Sequence, residues 1–273
     1  MKANKNLIEG IVKLGRIELA LSYRIPLIES MAAIVAYTSC ISVFMVIFQT
    51  IGLNLVLSDT LYNGPENVGA YQQIISERAT MSYALAQTSC WTFFTILVPL
   101  FFAFTLARAF EDGTLRTLMS YPISRTMLLT VKTLVFIIVI SIPVILIPLL
   151  LIATYLPSEA IVNYLGLFII STLLSVAQLS VTSILLSVLS KDAATTAVVG
   201  VLLWVGLSYL SSLPTIPIHF LMLCSPIKML SNYAVGLYPE MINWELLFLL
   251  LGSLAFVAAL FIIGIRVFRR VEI

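Results

Sequence analysis

Few side chains in this chain have types and spacing that could do chemistry. There is one histidine, His219, and no second histidine to form the H-E-x-x-H pair that binds zinc on a helix. No G-x-S-x-G nucleophile turn and no G-x-x-x-x-G-K-[ST] phosphate loop occurs anywhere. His219, Met222 and Cys224 form a short run of soft donors, the type that suits Cu(I). Met and His also occur in such amphipathic segments for packing alone, and no metal site is expected there. Cys40 and Cys90 fall inside apolar runs, which leaves Cys224 without an external disulfide partner in the same chain. Neither catalysis nor a cofactor of its own is expected of this chain. Any uphill work it does must draw its energy from another subunit.

The chemistry that remains is recognition, and it concentrates in RAFEDGTLRTLMSYPISR, residues 108–125, with Lys132 following. Gly113 can take the left-handed conformation that ends a helix. Thr114 is a suitable N-cap for a short helix after it, and Pro122 pushes Tyr121 out of helical geometry. Leu115, Leu118 and Met119 then lie at i, i+3 and i+4, a small exposed apolar face with Arg116 beside it. The candidate docking residues are Glu111, Asp112, Gly113, Thr114, Leu115, Arg116, Leu118 and Met119. The alternative is an ordinary charged turn at a membrane face. Ser124 is placed to cap the helix that follows.

The elements that must carry this loop are membrane spans. Of 273 residues, 60% are hydrophobic and 10% charged, where a soluble domain carries roughly 25% charged residues to face water. Six apolar runs lie between charges: 30–58, 79–107, 133–158, 160–190, 193–218 and 246–265. Each supplies the ~20 residues that cross ~30 Å of hydrocarbon as a helix. Segment 213–243 is broken by Pro214, Pro217, Pro226 and Pro239, which suits short external re-entrant helices better than a seventh span. With the N-terminus inside, thirteen of the fifteen Lys and Arg fall on the inner side and only Arg78 and Lys228 outside. That is a strong positive-inside pattern, and six spans return the C-terminus to the same face. The expected fold is therefore an all-α membrane protein, a single transmembrane domain over 1–273, multi-pass in the cell membrane with both termini cytoplasmic. Net charge is only +2, and no nucleic-acid partner is implied.

Residues 1–29 read as an interfacial amphipathic helix against membrane lipid. Lys5, Glu9, Lys13 and Arg16 share one face, with Leu7, Ile11, Leu14 and Leu21 opposite. Glu18 falls on the apolar face, where it either snorkels or meets a partner; it is an additional docking candidate. In the fourth run Ser171, Ser175, Gln178 and Thr182 form one stripe, either for hydrogen bonding between helices or along a substrate path. Small residues recur at Ala193, Ala197 and Gly200 and at Gly252, Ala255 and Ala259. They allow close packing within a subunit or across a dimer. Trp91 and Trp244 fall where an outer interfacial belt would lie. Ionisable side chains are absent from the interiors of the runs, which weighs against a channel or an ion-coupled carrier.

The loop resembles that of the type-2 ABC exporter permeases. Their pattern is an acidic residue, Gly-Thr-Leu, a further Leu, then Pro-x-Ser-Arg and a Lys. Here these are Glu111, Gly113, Thr114, Leu115, Leu118, Pro122, Ser124, Arg125 and Lys132 in order. Glu18 and Leu19 ahead of Arg24 are similar to the family's amphipathic leading helix. Tyr121 with Pro122, and Leu128 with Leu129, look most like the permeases that assist copper-enzyme maturation. The resemblance implies a non-catalytic transmembrane subunit, working as a dimer, whose loop seats as a coupling helix in a separate cytoplasmic ABC ATPase dimer. ATP and Mg would belong to that partner. An ATPase-coupled subunit that moves a partner mechanically without passing cargo would need the same loop.

Overall fold

The apolar runs form long helices. The structure, a computed structural model, describes residues 29–38, 40–41, 44–45, 48, 84, 88–119, 124–155, 159–211, 217, 220, 225–234 and 243–270. Among these residues every regular element is helical. In chain order they are α1 (29–38), α2 (Thr88–Glu111), α3 (Thr114–Met119) and α4 (Arg125–Tyr155). Then come α5 (Glu159–Ser190), α6 (Ala193–Leu210), α7 (Pro226–Ala234) and α8 (Asn243–Arg270).

Five of the helices, α2, α4, α5, α6 and α8, are long and apolar enough to cross a membrane. Most of the expected first span, and residues 1–28 with Glu18, lie outside the described residues. The helix bounds correct the expected ones: α2 runs past 107 to Glu111, α4 begins at Arg125 rather than 133, and α8 continues to Arg270. The charges taken as boundaries (Arg108, Lys132 and Arg266) instead sit on helices. Their long aliphatic stems let a charged head leave the apolar zone while the backbone stays regular. α6 ends at Leu210, earlier than 218.

α5 is the hub, packed against α4, α6, α7, α8 and the lower part of α2. Its small hydroxyl residues permit this. Ser180, Ser183 and Ser187 are fully buried and donate to the carbonyls of Val176, Leu179 and Ser183 at 2.6, 2.7 and 2.8 Å. Each hydroxyl is satisfied within its own helix, and its small volume lets a neighbour approach.

Aromatic rings fill the space between α2, α4 and α6. Phe101 stacks on Phe136 with centroids 4.3 Å apart, and Phe102 meets the same ring edge-on at 5.1 Å. Trp91 and Trp204 pack edge to face at 5.9 Å. Trp91 Nε1 donates to Ser208 Oγ at 2.8 Å, and Trp204 Nε1 to Thr182 Oγ1 at 2.9 Å. Trp91 is therefore a buried core residue and not part of an interfacial belt, because its one polar atom finds an acceptor inside the bundle. Trp244 is 69% exposed. α6 approaches α2 most closely at Gly200, where an added Cβ would lie 2.8 Å from Pro99 Cβ.

The outward faces are apolar. Leu134, Ile138, Ile142, Leu146 and Leu150 form a continuous exposed row along α4, and α8 is exposed over most of its length. In water such area would be costly; hydrocarbon solvates it without penalty.

Candidate docking site at one end of the bundle

The end of α2 that carries Glu111 is built by local chemistry. Asp112 N–H closes the helix on Arg108 O at 2.9 Å, and Gly113 turns the chain at φ +68°. A residue with a Cβ would be strained there, so the loop needs its glycine. Arg116 N–H donates to Gly113 O at 3.0 Å, which starts α3. Thr114 Oγ1 reaches back to Ala109 O at 3.4 Å. Its hydroxyl thus reaches back over the end of α2. Arg108 Nε and Asp112 Oδ2 form an exposed ion pair at 3.4 Å.

The exposed face of this element also differs from expectation. Leu115 is buried, 1% exposed, and belongs to the main apolar core. Leu115 points inward and holds α3 against the bundle. Glu111, Asp112, Gly113, Thr114 and Arg116 are exposed. The side chains of Leu118 and Met119 lie outside the described residues, as do Tyr121 and Pro122.

Two carboxylates meet the start of α6. Glu111 Oε1 accepts from Ala193 N at 2.5 Å, and Asp192 Oδ2 accepts from Thr195 N at 2.6 Å. The first amides of a helix lack partners within it, and the helix dipole favours negative charge there. The Thr195 hydroxyl, and after it the Thr195 amide, hold the Asp192 carboxyl below the usual carboxylate range. The connection from α5 is tight: Lys191 takes φ 54°, and its N–H bonds Ser187 O at 3.1 Å. Ser190 Oγ lies 2.7 Å from Thr196 Oγ1, tying the end of α5 to the first turn of α6.

The last turn of α8 joins the same end. Phe268 is fully buried, and its ring meets Phe110 edge-on at 6.0 Å. Arg269 Nη2 and Nε donate to Thr126 Oγ1 at 3.0 and 3.2 Å, while Arg125 Nη1 donates to Arg269 O at 3.2 Å. Ser124 caps α4 as expected, accepting from Met127 N at 3.2 Å. The end of α2 is thereby linked to those of α6 and α8, and the end of α8 to that of α4. Sequence reasoning missed Phe110, Thr126 and Phe268, whose pairing joins residues far apart in the chain. Only the acidic and basic character of the segments hinted at it.

The Ser171 stripe is not at this end. Ser171, Ser175 and Gln178 are buried, and Thr182 is partly so. Ser171 Oγ donates to Phe168 O at 2.8 Å, and Thr182 receives Trp204. Facing the other end, α7 buries Ile227 and Met229, and Lys228 Nζ donates to Ser211 Oγ at 3.4 Å beside the C-terminus of α6. Burial lowers the Lys228 amine from its ordinary value. His219, Met222 and Cys224 lie outside the described residues. No protein-family model matches the chain, and comparison with curated proteins returns no relative.

Proposed function

We propose that this chain is the transmembrane subunit of an ATP-driven ABC transporter of the exporter type, with six spans and both termini cytoplasmic. It would work as a homodimer on a dimer of separate cytoplasmic ATPases. One observation carries the reading. A short helix, α3, is held at the end of two long apolar helices by Gly113 and Leu115, and Glu111 beside it bonds the first turn of α6. A displacement of α3 therefore reaches α2 and α6 together, and α8 through Phe110 and Phe268. ATP binding in the partner draws the ATPases together, and the exposed side of α3 passes that movement to the spans. Gly252, Ala255 and Ala259 on the outward side of α8 are small enough for the close approach of a second copy.

The test uses exposed positions, because Leu115→Asp would place a charge in the core. The chain and a Thr114→Arg/Arg116→Glu double variant are purified from native membranes in mild detergent, and co-purifying proteins are identified by mass spectrometry. An ATPase with a phosphate loop is expected with the first and not with the second, at equal thermal stability. Absence of any ATPase from both would end the proposal.

A second reading is an ATPase-coupled subunit that moves a partner and passes no cargo. It is favoured by the burial of Ser171, Ser175 and Gln178 inside the protomer. Cargo flux in proteoliposomes with the ATPase separates the two.

A further inference from the structure

Between the docking end of α2 and its core-packed half lies one irregular turn. Residues Ala103–Ala107 form a π-turn, with Arg108 N–H bonded to Ala103 O in place of the α-helical partner. A π-turn holds one residue more than the helix needs and leaves carbonyls that the helix itself does not satisfy. Thr105 Oγ1 makes the ordinary back-bond of a helical threonine to Phe101 O at 2.8 Å, and Ser187 Oγ of α5, which donates to Ser183 O, lies 3.4 Å from Phe102 O. Lys132 of α4 sends Nζ to Thr105 O at 3.2 Å. Pro99, one turn earlier, lacks an N–H and removes another rung of the ladder. Beyond the turn, α2 contacts α3, the start of α6 and the end of α8. Before it, α2 is locked by Trp91, Phe101 and the Pro99 approach to Gly200.

We propose that the Ala103–Ala107 π-turn is the hinge through which the docking end of α2 moves against the bundle, and that Lys132 is the positioning residue that latches it. The turn carries one residue more than a regular helix needs, and it lies between the ring contacts of Phe101 and Phe102 on one side and that of Phe110 on the other. Lys132 reaches it from a different helix, so the bond to Thr105 O holds one state of the hinge and must be released for another. What drives the hinge rests on the transporter reading above; the hinge itself is a property of this chain and is tested without an ATPase.

The experiment is amide hydrogen exchange followed by mass spectrometry on the full chain in lipid nanodiscs. Lys132→Met removes the donor and keeps most of the stem; Lys132→Arg keeps a donor. Lys132→Met is expected to raise exchange across residues 103–112 about five-fold, the factor matching one net hydrogen bond. Exchange in residues 171–182 should stay unchanged, and Lys132→Arg should restore most of the protection. Should Lys132→Met fail to fold, Thr105→Val removes only the bond to Phe101 O and is expected to raise exchange over the same residues. Unchanged exchange at 103–112, or an equal rise in 171–182, would overturn the hinge. Loss of ATPase association in the earlier pull-down would leave this result untouched.

Discussion

Glu111 and Asp192 bring two carboxylates to the first turn of α6, where exposed amides and the helix dipole stabilise negative charge. They do different work. Asp192 is the N-cap of its own helix, a local device that its place ahead of an apolar run makes readable. Glu111 comes from the other loop and couples two elements. Replacing Glu111 by Ala should lower the thermal midpoint only slightly, by about 2 °C for an exposed helix-end bond, yet under the proposed coupling it should strongly weaken transport driven by the partner ATPase. Glu111→Gln, which keeps an acceptor, should recover part of it. Asp192 carries a pH dependence. Its folded value lies below the ordinary 3.8, so its contribution is present above that value and is lost as pH falls through the lowered one. Thermal midpoints of the wild type and Asp192→Asn, measured in detergent, should converge as pH drops from about 5 toward about 3. A gap that widened on acidification would contradict the assignment.

At the scale of elements, the contact between α2 and α6 rests on a glycine and a polar pair of tryptophans. Gly200→Val should destabilise by ~1–3 kcal/mol, because the facing atom is a rigid proline ring that cannot step aside. Gly200→Ala should follow in the same direction, and thermal unfolding in detergent compares the two. Thr182→Val matches shape and leaves Trp204 Nε1 buried without its acceptor, an expected loss of ~1–3 kcal/mol. All five long helices were legible at their core because ~20 apolar residues between charges mean one thing in a membrane protein. Their ends were less so. Arg108, Lys132 and Arg266 looked like borders and are helix residues, since a long stem separates the position of a charge from that of its backbone.

For the whole molecule, the proposed topology places Arg116 and Lys228 on opposite faces. In a background lacking Cys40, Cys90 and Cys224, Arg116→Cys in spheroplasts should react with a membrane-impermeant maleimide only after lysis. A cysteine at Lys228 should react before it, though slowly, because that side chain is partly buried. Equal labelling of both from outside would invert or abolish the six-span topology. The hub position of α5 makes the bundle a single packed unit among the described residues, and movement within it has to pass at its margins, where α3 and the ends of α2, α6 and α8 meet.

The amino-acid pattern alone was enough for the helical membrane class, for the loop at 108–125 with its glycine turn, and for Ser124 as a cap. These follow from composition and from interactions a few residues long, which leave a local trace. Tertiary structure decided the direction in which short-range features point. Leu115 faces the core and not a partner; Trp91 is inside and not at an interface; the Ser171 stripe is buried between helices. It also decided which distant residues meet: Glu111 with Ala193, Phe110 with Phe268, Lys132 with Thr105. In a bilayer nearly every residue of every span is apolar, so helical periodicity carries little information about which face is buried. Packing against neighbours, which no local spacing encodes, makes that choice.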